Sequence, residues 1–257
     1  MHFEFDFFIS HSKELKFTVA IPLTQVLTSL GFKVWIDRKE LSAGEYIYDN
    51  IKKAIAQSTY CIAVIDSTYL TRDWTKEELR LFHEKNLASP DIVPIFWGIE
   101  KEEAFLYFPW MNGIAFEKGD NSNLDKRKIV EIVCRITGRF FSDRTKSTLD
   151  DALFGLSEHD FPCKKTLLIL IHARQYYSNE FRIASLELCN LIGFIYAIYC
   201  SLESQKCHTI DTAFNFSCLL RDFCFDLTSP ITYNMYLSLQ KAVIVSVEEL
   251  TKFLDRR

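Results

Sequence analysis

Residues 1–138 alternate short apolar runs with amphipathic ones, and this pattern narrows the possible folds sharply. Strand-like runs fall near 3–10, 32–36, 60–65, 91–96 and 113–116. Helix-like runs lie near 15–30, 46–57, 74–86 and 123–137. A strand that is apolar on both faces must be covered on both. Strand–helix alternation does this by building a parallel sheet with helices on either side. Pro22 sits inside the first helical pattern, so the regular helix either begins close to it or is kinked there.

The rest of the chain reads differently. Residues 140–162 are more polar, with Ser142-Asp143-Arg144 and Asp150-Asp151, and are expected to connect two domains. From 163 to 257 the spacing favours long helices over Glu180–Leu202, Thr209–Phe225 and Thr232–Leu254; Leu167–Ile171 suits either a strand or a buried helix. The expected division is therefore 1–139, 140–162 and 163–257. A length of 257 residues with 48% apolar and 25% charged residues is that of a globular chain of two domains. The net charge of −4 carries no basic patch, so nucleic acid is not expected as a direct ligand.

The first strand-like run begins a few residues from Met1, which leaves no room for a signal peptide, and a cytoplasmic location is expected. Six of the eight cysteines follow residue 160: Cys163, Cys189, Cys200, Cys207, Cys218 and Cys224. None forms a Cys-x-x-Cys pair, and in a reducing cytosol they are expected as small buried hydrophobes; no metal-ligand cluster appears. Leu188–Leu202 is strongly apolar but holds Asn190 and is flanked by Glu187 and Glu203. It is shorter than the about 20 residues of a membrane span, so a buried core or interface helix is expected rather than a membrane contact.

Trp74-Thr75-Lys76-Glu77-Glu78-Leu79 carries the functional signal. Trp74 and Glu78 stand four apart on a helical segment, so they share a face one turn apart. An indole wall beside one carboxylate suits a flat, cationic, sugar-linked ring. The segments before it come in a fixed order. Phe5-Asp6-Phe7-Phe8-Ile9-Ser10-His11-Ser12 is a first strand, Gly31–Asp37 a second that ends in aspartate, and Leu41-Ser42-Ala43-Gly44-Glu45 a loop. Ser58–Ile65 is a third strand, and Tyr69–Trp74 leads into the helix with Glu78. This set resembles the TIR (Toll/interleukin-1 receptor-type) domain over about residues 3 to 138. The Asp-Trp-Thr-x-x-Glu-Leu form is similar to bacterial TIR enzymes that break down NAD.

The resemblance implies a flavodoxin-like five-stranded parallel sheet, followed here by a mainly helical region of unrecognised type. It implies an NAD+ nucleosidase yielding nicotinamide and ADP-ribose or a cyclic ADP-ribose isomer, with NAD+ as substrate and no cofactor. Because the leaving nitrogen of NAD+ is already cationic, nicotinamide departs neutral, and one carboxylate suffices where most glycosidases use two. Glu78 matches the family's catalytic glutamate; Glu77 would project about 100° away. Phe8, Ser10 and His11 at the end of the first strand, with Trp35, Leu41, Ser42 and Trp74, are the implied substrate contacts. Asp37 and Gly44 fall on the loop through which TIR domains self-associate. The chain departs from the pattern at Asp66, where many relatives carry serine. An antiphage effector activated by oligomerisation is the implied role, with the C-terminal region as oligomer interface or sensor. The alternative is a non-catalytic signalling scaffold or virulence effector acting by TIR–TIR association.

Overall fold

In the computed structural model five strands form among the described residues, four of them where β-branched and aromatic residues cluster. They are β1 (Phe5–His11), β2 (Val34–Ile36), β3 (Ser58–Ile65), β4 (Ile92–Trp97) and β5 (Glu117–Gly119). The structure describes residues 3–37, 47–85, 91–122, 125–145, 147–173, 180–202, 208–226 and 230–257. All strand pairs are parallel, in the order β2-β1-β3-β4-β5. β3 and β4 are buried along almost their whole length, as two-sided cover requires. The chain divides into two compact units, Met1–Val130 and Glu131–Arg257.

In the first unit the helices are α1 (Ile21–Ser29), α2 (Ile47–Gln57), α3 (Ser67–Thr71), α4 (Asp73–Lys85) and α5 (Lys101–Tyr107). α1 starts with Pro22 in its first turn, after a π-helical turn at Lys16–Ala20, so the proline opens the regular helix rather than bending it. β5 lies just beyond the expected 113–116. Phe116 packs on the core from the preceding loop, while polar Glu117 and Lys118 make the edge pairing. Gly119 is needed there, since a Cβ would stand 2.2 Å from the Trp97 ring.

The division between the units falls within α6 (Lys126–Arg144), upstream of the boundary expected at 139. The expected connection at 140–162 is largely helical: it holds the end of α6 and α7 (Leu149–Ser157). Its polar residues are helix-end residues. Thr148 and Asp151 form a reciprocal capping box that starts α7, and Ser142, Asp143 and Arg144 are the exposed last turn of α6. Leu167–Ile171 belongs to a helix, α8 (Lys164–Ala173).

The second unit continues with α9 (Phe181–Leu202), α10 (His208–Phe225) and α11 (Tyr233–Leu254). α11 buries Leu239, Ala242, Val243, Val247 and Leu250 completely, packed by α7, α9 and α10. α9 is long and apolar enough to cross a membrane by length and composition; half of that stretch is buried against neighbouring helices.

Candidate active site

The strand order reverses beside β1: the chain moves out to β2, then returns across β1 to β3. At such a switch point the carboxyl ends of the strands open into a crevice. There the end of β1 supplies His11, the end of β2 supplies Trp35 and Asp37, and α4 supplies Trp74, Thr75 and Glu78. Together with Ile9, Lys13, Lys16 and Arg72 they line a cleft of about 150 Å³. α4 is fixed there by its own first turn, where Thr75 Oγ1 donates to the Tyr69 carbonyl at 2.7 Å. α3 is capped by Asp66, which accepts from the Tyr69 amide at 2.8 Å and from Ser12 Oγ at 2.9 Å. The aspartate that departs from the family's serine therefore ties the end of β1 to the start of α3.

Glu78 faces inward and is only 8% exposed. Ser10 Oγ donates to its Oε2 at 2.6 Å, and the Trp74 side chain is hydrogen-bonded to the same carboxylate. Burial pushes the Glu78 carboxyl up to about 7; the Ser10 and Trp74 hydrogen bonds oppose the rise and the Asp37 charge adds to it. Trp74 stands 38% exposed at the cleft, its ring edge-on to Tyr48 with centroids 5.6 Å apart. Glu77 turns elsewhere, to Arg80 at 2.7 and 2.8 Å. His11 Nδ1 lies 2.8 Å from the Ser12 carbonyl, so it carries the proton and leaves Nε2 a buried acceptor without a partner. Burial lowers the His11 pKa.

The buried carboxyl has a measurable consequence for stability. A folded value of about 7 against an ordinary 4.5 means that the unfolded chain ionises first. Stability contributed by this group is full below about pH 4, declines as pH rises toward 7, and then stays low. The cost above pH 7 is on the order of 3 kcal/mol. Glu78→Gln should therefore raise the unfolding temperature at pH 8 and leave it unchanged near pH 4, measured by differential scanning calorimetry.

The structure brings Glu78, Trp74, Trp35, His11 and Asp37 to one cleft. Phe8 is not among them: it is 1% exposed, lies in the core, and stacks on Trp35 with centroids 4.6 Å apart and planes 5° from parallel. Its partner in the strand register, Trp35, takes the exposed side of that stack. Ser10 is likewise 1% exposed and reaches the cleft only through Glu78. Leu41, Ser42 and Gly44 lie outside the described residues. Three cations, Lys13, Lys16 and Arg72, escaped the sequence reading. Lys16 Nζ donates to the Asp37 carbonyl at 2.7 Å and Arg72 pairs with Glu14 at 3.4 Å. The one available signal was that Lys13 and Lys16 follow directly on a strand's carboxyl end.

A family model described as TIR domain matches residues 7–128. Residues 7–128 are a TIR domain. Among curated proteins, the chain is 30% identical over 107 residues to the 2′ cyclic ADP-D-ribose synthase BtTIR of Bacteroides thetaiotaomicron, covering 41% of this chain and 37% of that one. It is 33% identical over 108 residues to the NAD(+) hydrolase TcpC of Escherichia coli O6:H1, covering 40% and 34%. It is 33% identical over 107 residues to the 2′ cyclic ADP-D-ribose synthase AbTIR of Acinetobacter baumannii, covering 41% and 40%. The likeness thus spans 34–40% of these relatives' own length and lies in the TIR domain.

Proposed function

We propose that this TIR domain is an NAD+ nucleosidase that breaks the bond between the nicotinamide nitrogen and its ribose. The observation that carries the reading is Glu78: one buried carboxylate, held by two donors, at the switch-point cleft beside two indoles. As the bond lengthens, positive charge develops on the ribose ring, and a carboxylate beside it stabilises that charge. Trp35 and Trp74 offer flat walls to the departing nicotinamide or to the adenine. Lys13, Lys16 and Arg72 give the rim a positive field suited to the substrate's diphosphate. His11 Nε2, a bare acceptor, suits a ribose hydroxyl or the carboxamide. The relatives' printed activities, hydrolase and cyclic ADP-ribose synthase, support the same bond cleavage with either water or a ribose hydroxyl as acceptor.

The finer role proposed is a cytoplasmic antiphage effector that depletes NAD+ when assembled, with TIR domains self-associating through the Asp37–Gly44 loop and the helical unit acting as interface or sensor. Nicotinamide release from NAD+ by the purified full chain, with Glu78→Gln alongside, tests the catalytic reading. A non-catalytic scaffold would leave NAD+ intact in both. Trp35→Ala should lower kcat/KM for NAD+ by at least about 10-fold, a larger effect than the lost stacking on Phe8 has on the melting temperature. Equal losses of activity and stability would make Trp35 a packing residue only.

A further inference from the structure

Two hydroxyls are sealed behind the cleft. Tyr69 is 0% exposed and Ser10 is 1% exposed, yet their oxygens lie 2.9 Å apart in the apolar core of the sheet. Ser10 has one proton to give, and it goes to Glu78 Oε2. Tyr69 must then be the donor to Ser10. The result is a directed chain, Tyr69 to Ser10 to Glu78, made by three separate elements: α3, β1 and α4. Among the described residues no lysine or arginine pairs with Glu78. Neutral donors alone offset its burial.

We propose that Ser10, oriented by Tyr69, is a positioning residue for Glu78: the chain fixes the carboxylate's direction and favours the ionised form that bond cleavage needs. The proposal rests on the NAD+ reading and adds how its carboxylate is prepared. A hydroxyl whose lone pair already accepts a bond gives up its own proton more readily to a carboxylate. If Glu78 takes up a proton, each bond in the chain can reverse, with Glu78 donating to Ser10 and Ser10 to Tyr69. The chain therefore satisfies both protonation states but favours the charged one, where its bonds are charge-assisted. The other groups around Glu78 do not replace it. From β2 the Asp37 charge opposes ionisation, and from β3 the buried Cys61 thiol stays protonated. From α4 the Trp74 indole donates to the carboxylate. From β1 the His11 Nδ1 proton is engaged with Ser12. Lys13, Lys16 and Arg72 stand at the cleft rim.

The test compares the full-length chain with Ser10→Ala, Tyr69→Phe and the double variant. Two readouts are taken: the pH profile of kcat/KM with NAD+, and the carboxyl titration of Glu78 without substrate. The latter uses infrared spectra of 13C-glutamate-labelled protein, with the Glu78 band assigned by its loss in Glu78→Gln. In Ser10→Ala both the acidic limb and the carboxyl band should move upward by about one pH unit or more. Tyr69→Phe should give a smaller shift of the same sign. Ser10→Ala also leaves the Tyr69 hydroxyl buried without a partner, which lowers stability. The double variant removes that hydroxyl and should recover melting temperature while keeping the shifted limb, a split that a purely structural role would not give. A Ser10→Ala titration superimposable on the wild type overturns the proposal even if NAD+ is cleaved normally. Shifted titrations in a protein that never releases nicotinamide would uphold the chain and overturn the substrate reading alone.

Discussion

Replacing Glu78 with Gln should slow nicotinamide release at least about 100-fold while the protein remains folded. Gln keeps the size and an oxygen for the Ser10 hydroxyl, so packing survives and the charge alone is lost. Only the charge stabilises the developing oxocarbenium ion, so kcat should fall much more than KM rises. Glu77→Gln is the matched control. Its carboxylate faces Arg80, away from the cleft, and its variant should keep the wild-type rate. Steady-state kinetics on both, with melting curves on the same preparations, check this. A Glu78→Gln enzyme that retains most of its activity would remove Glu78 from the chemistry.

The second large effect concerns concentration. The cleft holds about 150 Å³, whereas small-molecule sites usually enclose about 300–1,000 Å³. The described residues alone enclose too little for a dinucleotide, so further wall is expected. A neighbouring TIR domain is the source that the family resemblance implies. If two copies complete one site, the rate at low concentration follows the square of enzyme concentration. Specific activity should then about double with each doubling of enzyme until assembly saturates. Kinetics over a dilution series, beside sedimentation on the same samples, measures this. A monomer with constant specific activity would show that the cleft is complete in a single chain.

Much of the first unit was legible because each strand carried its own signal. Phe5–His11 and Ser58–Ile65 are runs that only a two-sided sheet can bury, and Trp74 with Glu78 share a helix face by spacing alone. What escaped was set by contacts distant in sequence. Phe8 and Trp35 are both aromatic residues in mid-strand, and nothing local says which is core and which faces the cleft. The parallel register decides it, stacking Phe8 inside and Trp35 outward. Nothing near Tyr69 in the sequence marks its role, because its partner, Ser10, stands 59 residues away. The polar stretch after 140 looked like a connection because helix-capping residues and linker residues share a composition. Thr148 and Asp151 form a capping box, and the helix they start buries Ala152, Leu153 and Leu156 in a unit where α7 packs on α11.

The proposed cleavage of the nicotinamide–ribose bond of NAD+ at Glu78 has a simple product pattern. Proton NMR of the purified full chain with NAD+, at high protein concentration and neutral pH, tests it most directly. Free nicotinamide should appear in step with the loss of NAD+, together with one equivalent of ADP-ribose or a cyclic isomer, and should be absent with Glu78→Gln. NAD+ that stays intact beside fully folded, assembled wild-type protein would contradict it.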